Sequence, residues 1–222
     1  MNVQEALDTL KSLGTEQNRK IYRRHGANGE IYGVSYAELK KLKKKIKVDH
    51  ELAEGLWASN AHDARILATM IADPRRLDGE ALDRWAGGLR NPVESDALAG
   101  LAAGSPAARE AMERWIDSDD EWIGAAGWTV LAHLAMKDDS LPDEYFARYL
   151  DAIERDIHTQ KNRVRYEMNN ALIAIGTRNP HLEEKALAAA ARIGRVEVDH
   201  GETGCKTPDA ASYIRKAVER RR

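Results

Sequence analysis

The chain has 222 residues, with 34 Lys+Arg against 36 Asp+Glu, a formal net charge of −2 and 43% hydrophobic residues. That apolar content supports a packed core and excludes a disordered chain. A single cysteine, Cys205, excludes a disulfide scaffold and fits a reducing compartment. The opening MNVQEALDTLKSL lacks the basic and apolar regions of a secretory signal. No apolar run reaches the ~18 residues of a membrane span. The expectation is a cytoplasmic protein without a membrane partner. By length it is one large domain or two small ones, and the pattern below reads as a single domain over 1–222.

Charge is segregated along the chain. Residues 1–47 carry 11 Lys/Arg against 5 Asp/Glu, residues 48–160 carry 10 against 23, and residues 161–222 carry 13 against 8. A basic–acidic–basic layout can hold a polyanion at both ends, or can simply be solvated helix faces.

Strand signals are almost absent, and good helix formers dominate, so the prediction is all-α. Residues 1–47 form an N-terminal helical cap. Within it, Val34-Ser35-Tyr36-Ala37-Glu38-Leu39 reads as a helix start. Ser35 and Glu38 make a capping box, and Val34 and Leu39 a hydrophobic staple. The helix that follows has only Leu39, Leu42 and Ile46 to pack. Its lysines, Lys40, Lys41, Lys43, Lys44, Lys45 and Lys47, make a broad positive face that suits phosphate contact.

Residues 48–195 read as helix-pair repeats. Trp57, Trp85, Trp115 and Ile157 each end one helix with a bulky apolar residue. A short polar linker follows, and a second helix begins near Ala64, Pro92, Trp122 and Val164. Such pairs cannot bury their faces singly and must stack. The predicted architecture is an α-α superhelix, a curved solenoid of antiparallel pairs with the second helix of each pair on the concave side. The three tryptophans sharing one register read as core. Trp122 and Trp128, which open or lie along an inner helix, are the aromatics placed to meet a ligand. Eleven positions after each anchor stand Ala68, Asp96, Ala126 and Met168. Asp96 thus puts a carboxylate into an otherwise packed or half-buried register, where it needs a partner or a raised pKa.

Further on, Lys161, Arg163 and Arg165 open the last inner helix, where exposed backbone N–H groups also favour an anion. On that helix Asn162, Tyr166, Asn169 and Asn170 fall roughly on one side. A buried amide stripe must face a ligand, water or the tail loop. The tail loop and closing helix occupy 196–222, the helix near Pro208–Arg221. The Asp199–Lys206 loop gathers Asp199, His200, Glu202, Cys205 and Lys206. Metal binding through His200 and Cys205 lacks a second ligand pair elsewhere, and a nucleophilic Cys205 with His200 as base lacks a supporting motif. The loop therefore reads as one that docks on the solenoid, and no metal or cofactor is expected.

Several stretches together resemble the bacterial DNA alkylation repair family of HEAT-like-repeat glycosylases, the AlkD-like proteins. They are Ile31–Leu42, Leu52-Ala53-Glu54-Gly55-Leu56-Trp57-Ala58-Ser59, His62-Asp63-Ala64-Arg65 and Leu82-Asp83-Arg84-Trp85. The resemblance implies a HEAT-like solenoid holding duplex DNA in its concave face, and excision of N3- or N7-alkylated purines. An alkylated purine is a cationic leaving group, so a nearby carboxylate stabilises the positive charge that builds on the sugar. In the family's W-D-x-x-D segment the second Asp falls on Asp96, the Trp on Pro92 and the first Asp on Val93. No arginine stands in Glu121–Ala126, where the family has one, and the last aromatic falls at or beside Asn170. Two segments, Arg165–Gly176 and Val196–Ala210, look like those of a subgroup named for DNA alkylation repair by similarity.

Two functions follow. The first is a nucleoid-accessible protein that binds damaged or distorted double-stranded DNA, with alkylpurine excision as the implied chemistry. In it Asp96 is the electrostatic stabiliser. Lys40, Lys41, Lys44, Lys161, Arg163 and Arg165 hold phosphates, and Trp122, Trp128, Tyr166, Asn169 and Asn170 shape a pocket. The second is a non-catalytic scaffold for DNA structures or a basic protein partner.

Overall fold

The computed structural model describes residues 1–220. Thirteen α-helices lie among them: α1 (Val3–Leu13), α2 (Glu16–Arg24), α3 (Tyr36–Ile46), α4 (His50–Ala58), α5 (His62–Ile71), α6 (Gly79–Ala86), α7 (Pro92–Ala102), α8 (Ala108–Ile116), α9 (Glu121–Lys137), α10 (Asp143–Asp156), α11 (Asn162–Gly176), α12 (Pro180–Ile193) and α13 (Ala210–Glu219). A single 3-10 turn, Pro74–Arg76, precedes α6. The described residues hold no strand, only one isolated bridge between Glu30 and Ala61. None of these helices is long and apolar enough to cross a membrane.

The repeat reading matches four pairs, α4/α5, α6/α7, α8/α9 and α10/α11, preceded by three cap helices. The anchors Trp57, Trp85 and Trp115 are buried, as their shared register predicts. α12 is an additional helix between the fourth pair and α13. The closing helix was expected to run to Arg221, which lies outside the described residues.

The chain forms two compact units, one of Met1–Ala108 with Gly201–Thr203, the other of Arg109–His200 and Gly204 onward. In the first unit, α3 begins as its sequence dictates. Ser35 accepts from the Glu38 N–H at 3.3 Å, and the staple residues Val34 and Leu39 are both buried. The Glu38 carboxylate, however, bonds Lys41 at 2.6 Å.

α5 packs against α3, α4 and α7 and is buried at every position from His62 to Ala68. Three polar side chains lie in that buried stretch, and all three are paired. Asp63 accepts from the backbone N–H groups of Tyr32 (2.6 Å), Gly33 (3.2 Å) and Val34 (2.7 Å), which seats the segment before α3. Gly33 has φ +81°, and a Cβ there would lie 2.4 Å from the Thr15 carbonyl oxygen, so only glycine fits this turn. Arg65 donates to the Gly88 carbonyl and pairs with Glu94 at 2.9 Å, with its guanidinium 4.9 Å above the Trp57 ring. Trp57 in turn stacks on Trp85, with ring centroids 4.7 Å apart. Glu94, on α7 and fully buried, also meets His62 Nδ1 at 3.4 Å and Arg90 at 3.3 Å.

In the second unit, α9 and α11 pack along each other, and α13 lies on α11 and α12. Close approach is set by small residues. A Cβ on Gly127 of α9 would stand 2.6 Å from the Ile116 backbone nitrogen, and one on Gly176 of α11 would stand 2.7 Å from both Ala186 and Ile214. Trp128, expected to meet a ligand, is instead a core residue: it is buried, with its ring T-shaped to Tyr149 at 6.1 Å. The reason lies in α9, whose residues Gly124–Trp128 are all buried.

Candidate nucleic-acid interface

α3 buries Leu39 and Leu42 and turns its lysines to solvent. Lys40, Lys41, Lys43, Lys44, Lys45 and Lys47 are all exposed. Tyr36, Lys40 and Lys44 stand four residues apart, so they line one side of the helix. Tyr36 is 44% exposed, an aromatic face beside a row of ammonium groups. Such a surface offers both charge for phosphates and a platform for stacking.

A second basic helix escaped the sequence reading. α2 buries none of its residues, and Lys20, Arg23, Arg24 and the following His25 are exposed. The signal was the Arg19–Arg24 charge run, which counted toward the basic first segment without being singled out. α2 is tethered by Arg19, which donates to the Tyr32 carbonyl at 2.9 Å, and by the Tyr22 hydroxyl, which donates to the Val34 carbonyl.

Asp96 lies on α7 and is exposed, so the half-buried register expected for it is corrected. The physical reason is a slip between repeats. α5 starts five residues after its tryptophan anchor and α7 starts seven after, and two residues turn a helix by about 200°. The buried carboxylate of α7 is Glu94 instead. One turn beyond Asp96, nothing lies within 4 Å of a Cβ built on Gly100, so this strip of α7 is open. Burial, and after it the negative charge of Asp96, push the Tyr36 hydroxyl above its ordinary pKa. The carboxylate and the exposed aromatic are therefore electrostatic neighbours.

The start of α11 holds the other cations named from sequence, each engaged internally. Lys161 donates to the Asp119 carbonyl. Arg163 pairs with Glu167 at 2.7 Å and lies 4.6 Å over the Tyr166 ring. Arg165 donates to the carbonyls of Glu197 (2.8 Å) and Gln160 (3.0 Å). The Arg163 N–H, which an external anion would use, donates to the Glu121 carboxylate at 2.7 Å.

The polar stripe of α11 faces the tail loop. Asn162 exchanges two 2.8 Å hydrogen bonds with the Asp199 backbone, and Asn169 donates to the Pro208 carbonyl at 3.0 Å. Tyr166 meets His200 edge-to-face at 5.4 Å, and His200 Nε2 lies 3.0 Å from the Thr207 hydroxyl. Asn170 turns aside to Glu167 at 2.9 Å. Of the five residues named for a pocket, Asn169 lines a cavity beneath the loop; Trp122, Trp128, Tyr166 and Asn170 do not.

A family model described as DNA alkylation repair enzyme matches residues 6–214. The chain belongs to the DNA alkylation repair family. Two curated relatives match across 97% of this chain and 97% of their own length: an uncharacterized protein of Listeria monocytogenes at 33% identity, and one of Listeria innocua at 32%. One solved structure superposes with a TM-score of 0.91 at 32% identity, covering 100% of this chain and 96% of that one. It is described as a new family of proteins related to the HEAT-like repeat DNA glycosylases with affinity for branched DNA structures. The chain, all-helical among its described residues, thus has the HEAT-like repeat fold.

Proposed function

We propose that this protein binds branched or distorted DNA, gripping phosphates with the exposed face of α3 through Lys40, Lys41 and Lys44 and with the basic helix α2. The observation that carries this reading is the α3 lysine face in a chain 32% identical to a structural relative with affinity for branched DNA. Lys161, Arg163 and Arg165 hold the start of α11 and the tail loop in place. The test is a gel-shift series with a four-way junction and a matched linear duplex. Junction binding that weakens steeply with salt and falls in Lys40→Glu/Lys44→Glu is expected. No affinity for either DNA at low salt would end this reading and leave a scaffold for a basic protein partner.

Membership of the repair family and the open strip around Asp96 favour a second reading, excision of N3- or N7-alkylated purines. Asp96, solvated and negative beside Tyr36, has the charge that stabilises a sugar developing positive character, while Tyr36 presents an aromatic face to a cationic base. Release of methylated purines from alkylated DNA is compared between wild type and Asp96→Asn. Equal release from both, or none from either, removes Asp96 from the chemistry.

A further inference from the structure

The loop that follows α12 does not close flush against α11. Between them lies a cavity of about 1080 Å³, at the upper end of what small-molecule sites occupy. Two residues of its wall each carry a buried polar atom with no hydrogen-bond partner: Asn169 Oδ1 and Arg165 Nε. Asn169 is 1% exposed, and the orientation of its side chain is set by Nδ2, which donates to the Pro208 carbonyl. An orphaned acceptor at such a depth is costly unless something donates to it. Arg165 spends its two terminal nitrogens on main-chain carbonyls, which leaves the Nε–H as a donor one helical turn from that acceptor.

The charge of the wall decides what class of ligand fits. Its cations Arg165, Arg195 and Lys206 are matched in number by Glu197, Asp199 and Asp209. A balanced wall gives a phosphate no net attraction. An uncharged molecule that offers both an N–H and a carbonyl has the groups to pair with the two orphaned atoms. The remaining lining includes Val196, Val198, Pro208 and Ala211, apolar surface for a flat ring. The ring of His200, steadied by Thr207 and by Tyr166, adds an aromatic wall.

We infer that this cavity is a binding site for an uncharged nucleobase, which donates to Asn169 Oδ1 and accepts from Arg165 Nε. The base comes either from a free nucleoside or from an unpaired position in DNA; the second source alone rests on the DNA-binding reading above.

The experiment follows the side-chain NMR signals of Asn169 Nδ2 and Arg165 Nε in the full chain. Uridine, guanosine, inorganic phosphate, a fully paired four-way junction and the same junction with one unpaired base are added separately. Both signals shift with a nucleoside, with the unpaired-base junction, or with both, and which of them acts identifies the source. In Ala211→Phe, which adds a ring at the cavity lining, the shift is lost while the lysine-dependent affinity for the fully paired junction stays within twofold. Ala191→Phe, at the exposed rim, serves if the first variant fails to fold. Absence of any shift, a shift with phosphate or the paired junction alone, or a nucleoside shift that survives the filled cavity would each overturn the assignment. Because the nucleoside arm needs no DNA, its failure is distinguishable from failure of DNA binding.

Discussion

Asp63 and Val34, far apart in sequence, are joined by a 2.7 Å hydrogen bond from the Val34 N–H to the Asp63 carboxylate. The same carboxylate takes the N–H groups of Tyr32 and Gly33, so one side chain on α5 fixes the backbone that leads into the lysine helix. Asp63→Ala strands three buried donors. The expected cost is about 3–5 kcal/mol, since each unmade buried bond costs roughly 1–3 and relaxation recovers part. Thermal unfolding should show a midpoint lower by about 10 °C.

Glu94 makes the pH dependence of the first unit predictable in sign. Its burial opposes ionisation, but the hydrogen bond with His62 and the charges of Arg65 and Arg90 outweigh that and hold its pKa below the ordinary 4.5. A carboxylate depressed by folding contributes stability that is present above its unfolded pKa and lost as pH falls through its folded one. Wild type should therefore lose stability progressively below about pH 4.5. Glu94→Gln should be less stable at neutral pH by roughly 3–5 kcal/mol, with the guanidiniums left uncompensated, and flatter in acid. Urea midpoints measured from pH 3 to 7 test both statements.

Two glycines in helices should respond to alanine with opposite signs. At Gly127 the added methyl meets the Ile116 nitrogen at 2.6 Å and the Trp115 carbonyl carbon at 2.9 Å. The gain of about 1 kcal/mol in helix propensity is then exceeded by overpacking of roughly 1–3 kcal/mol. Gly100 has open space where the methyl would go, so Gly100→Ala keeps the full gain of about 1 kcal/mol. Equal shifts of the unfolding midpoint in the two variants would contradict the packing described for α8 and α9.

The lysine face makes a quantitative salt prediction. On the proposed reading Lys40→Ala/Lys44→Ala removes two phosphate contacts and lowers the slope of log affinity against log salt by about 2, because each contact contributes roughly 0.9. Fluorescence anisotropy on one junction across a salt series measures it. An unchanged slope would place the phosphate contacts elsewhere, α2 first.

Local rules carried the reading of individual elements. The start of α3 was legible because Val34, Ser35 and Leu39 lie within six residues, and a cap or a staple depends only on such neighbours. The tryptophan anchors were legible because a repeated register repeats its burial. Asp96 shows the limit of that logic. A two-residue difference in where α5 and α7 begin rotates one repeat against the other, and counting from the anchor cannot detect it.

The sequence by itself determined the four helix pairs and the positive face of α3, since periodicity and capping act over a few residues. It also narrowed the amide stripe of α11 to three possible partners. Tertiary structure chose the tail loop, gathered Glu94 with His62 and Arg65, and left Asn169 Oδ1 without a partner. Those outcomes join groups about 30 to 40 residues apart, where burial and the demand for hydrogen-bond partners decide, and no local pattern records them.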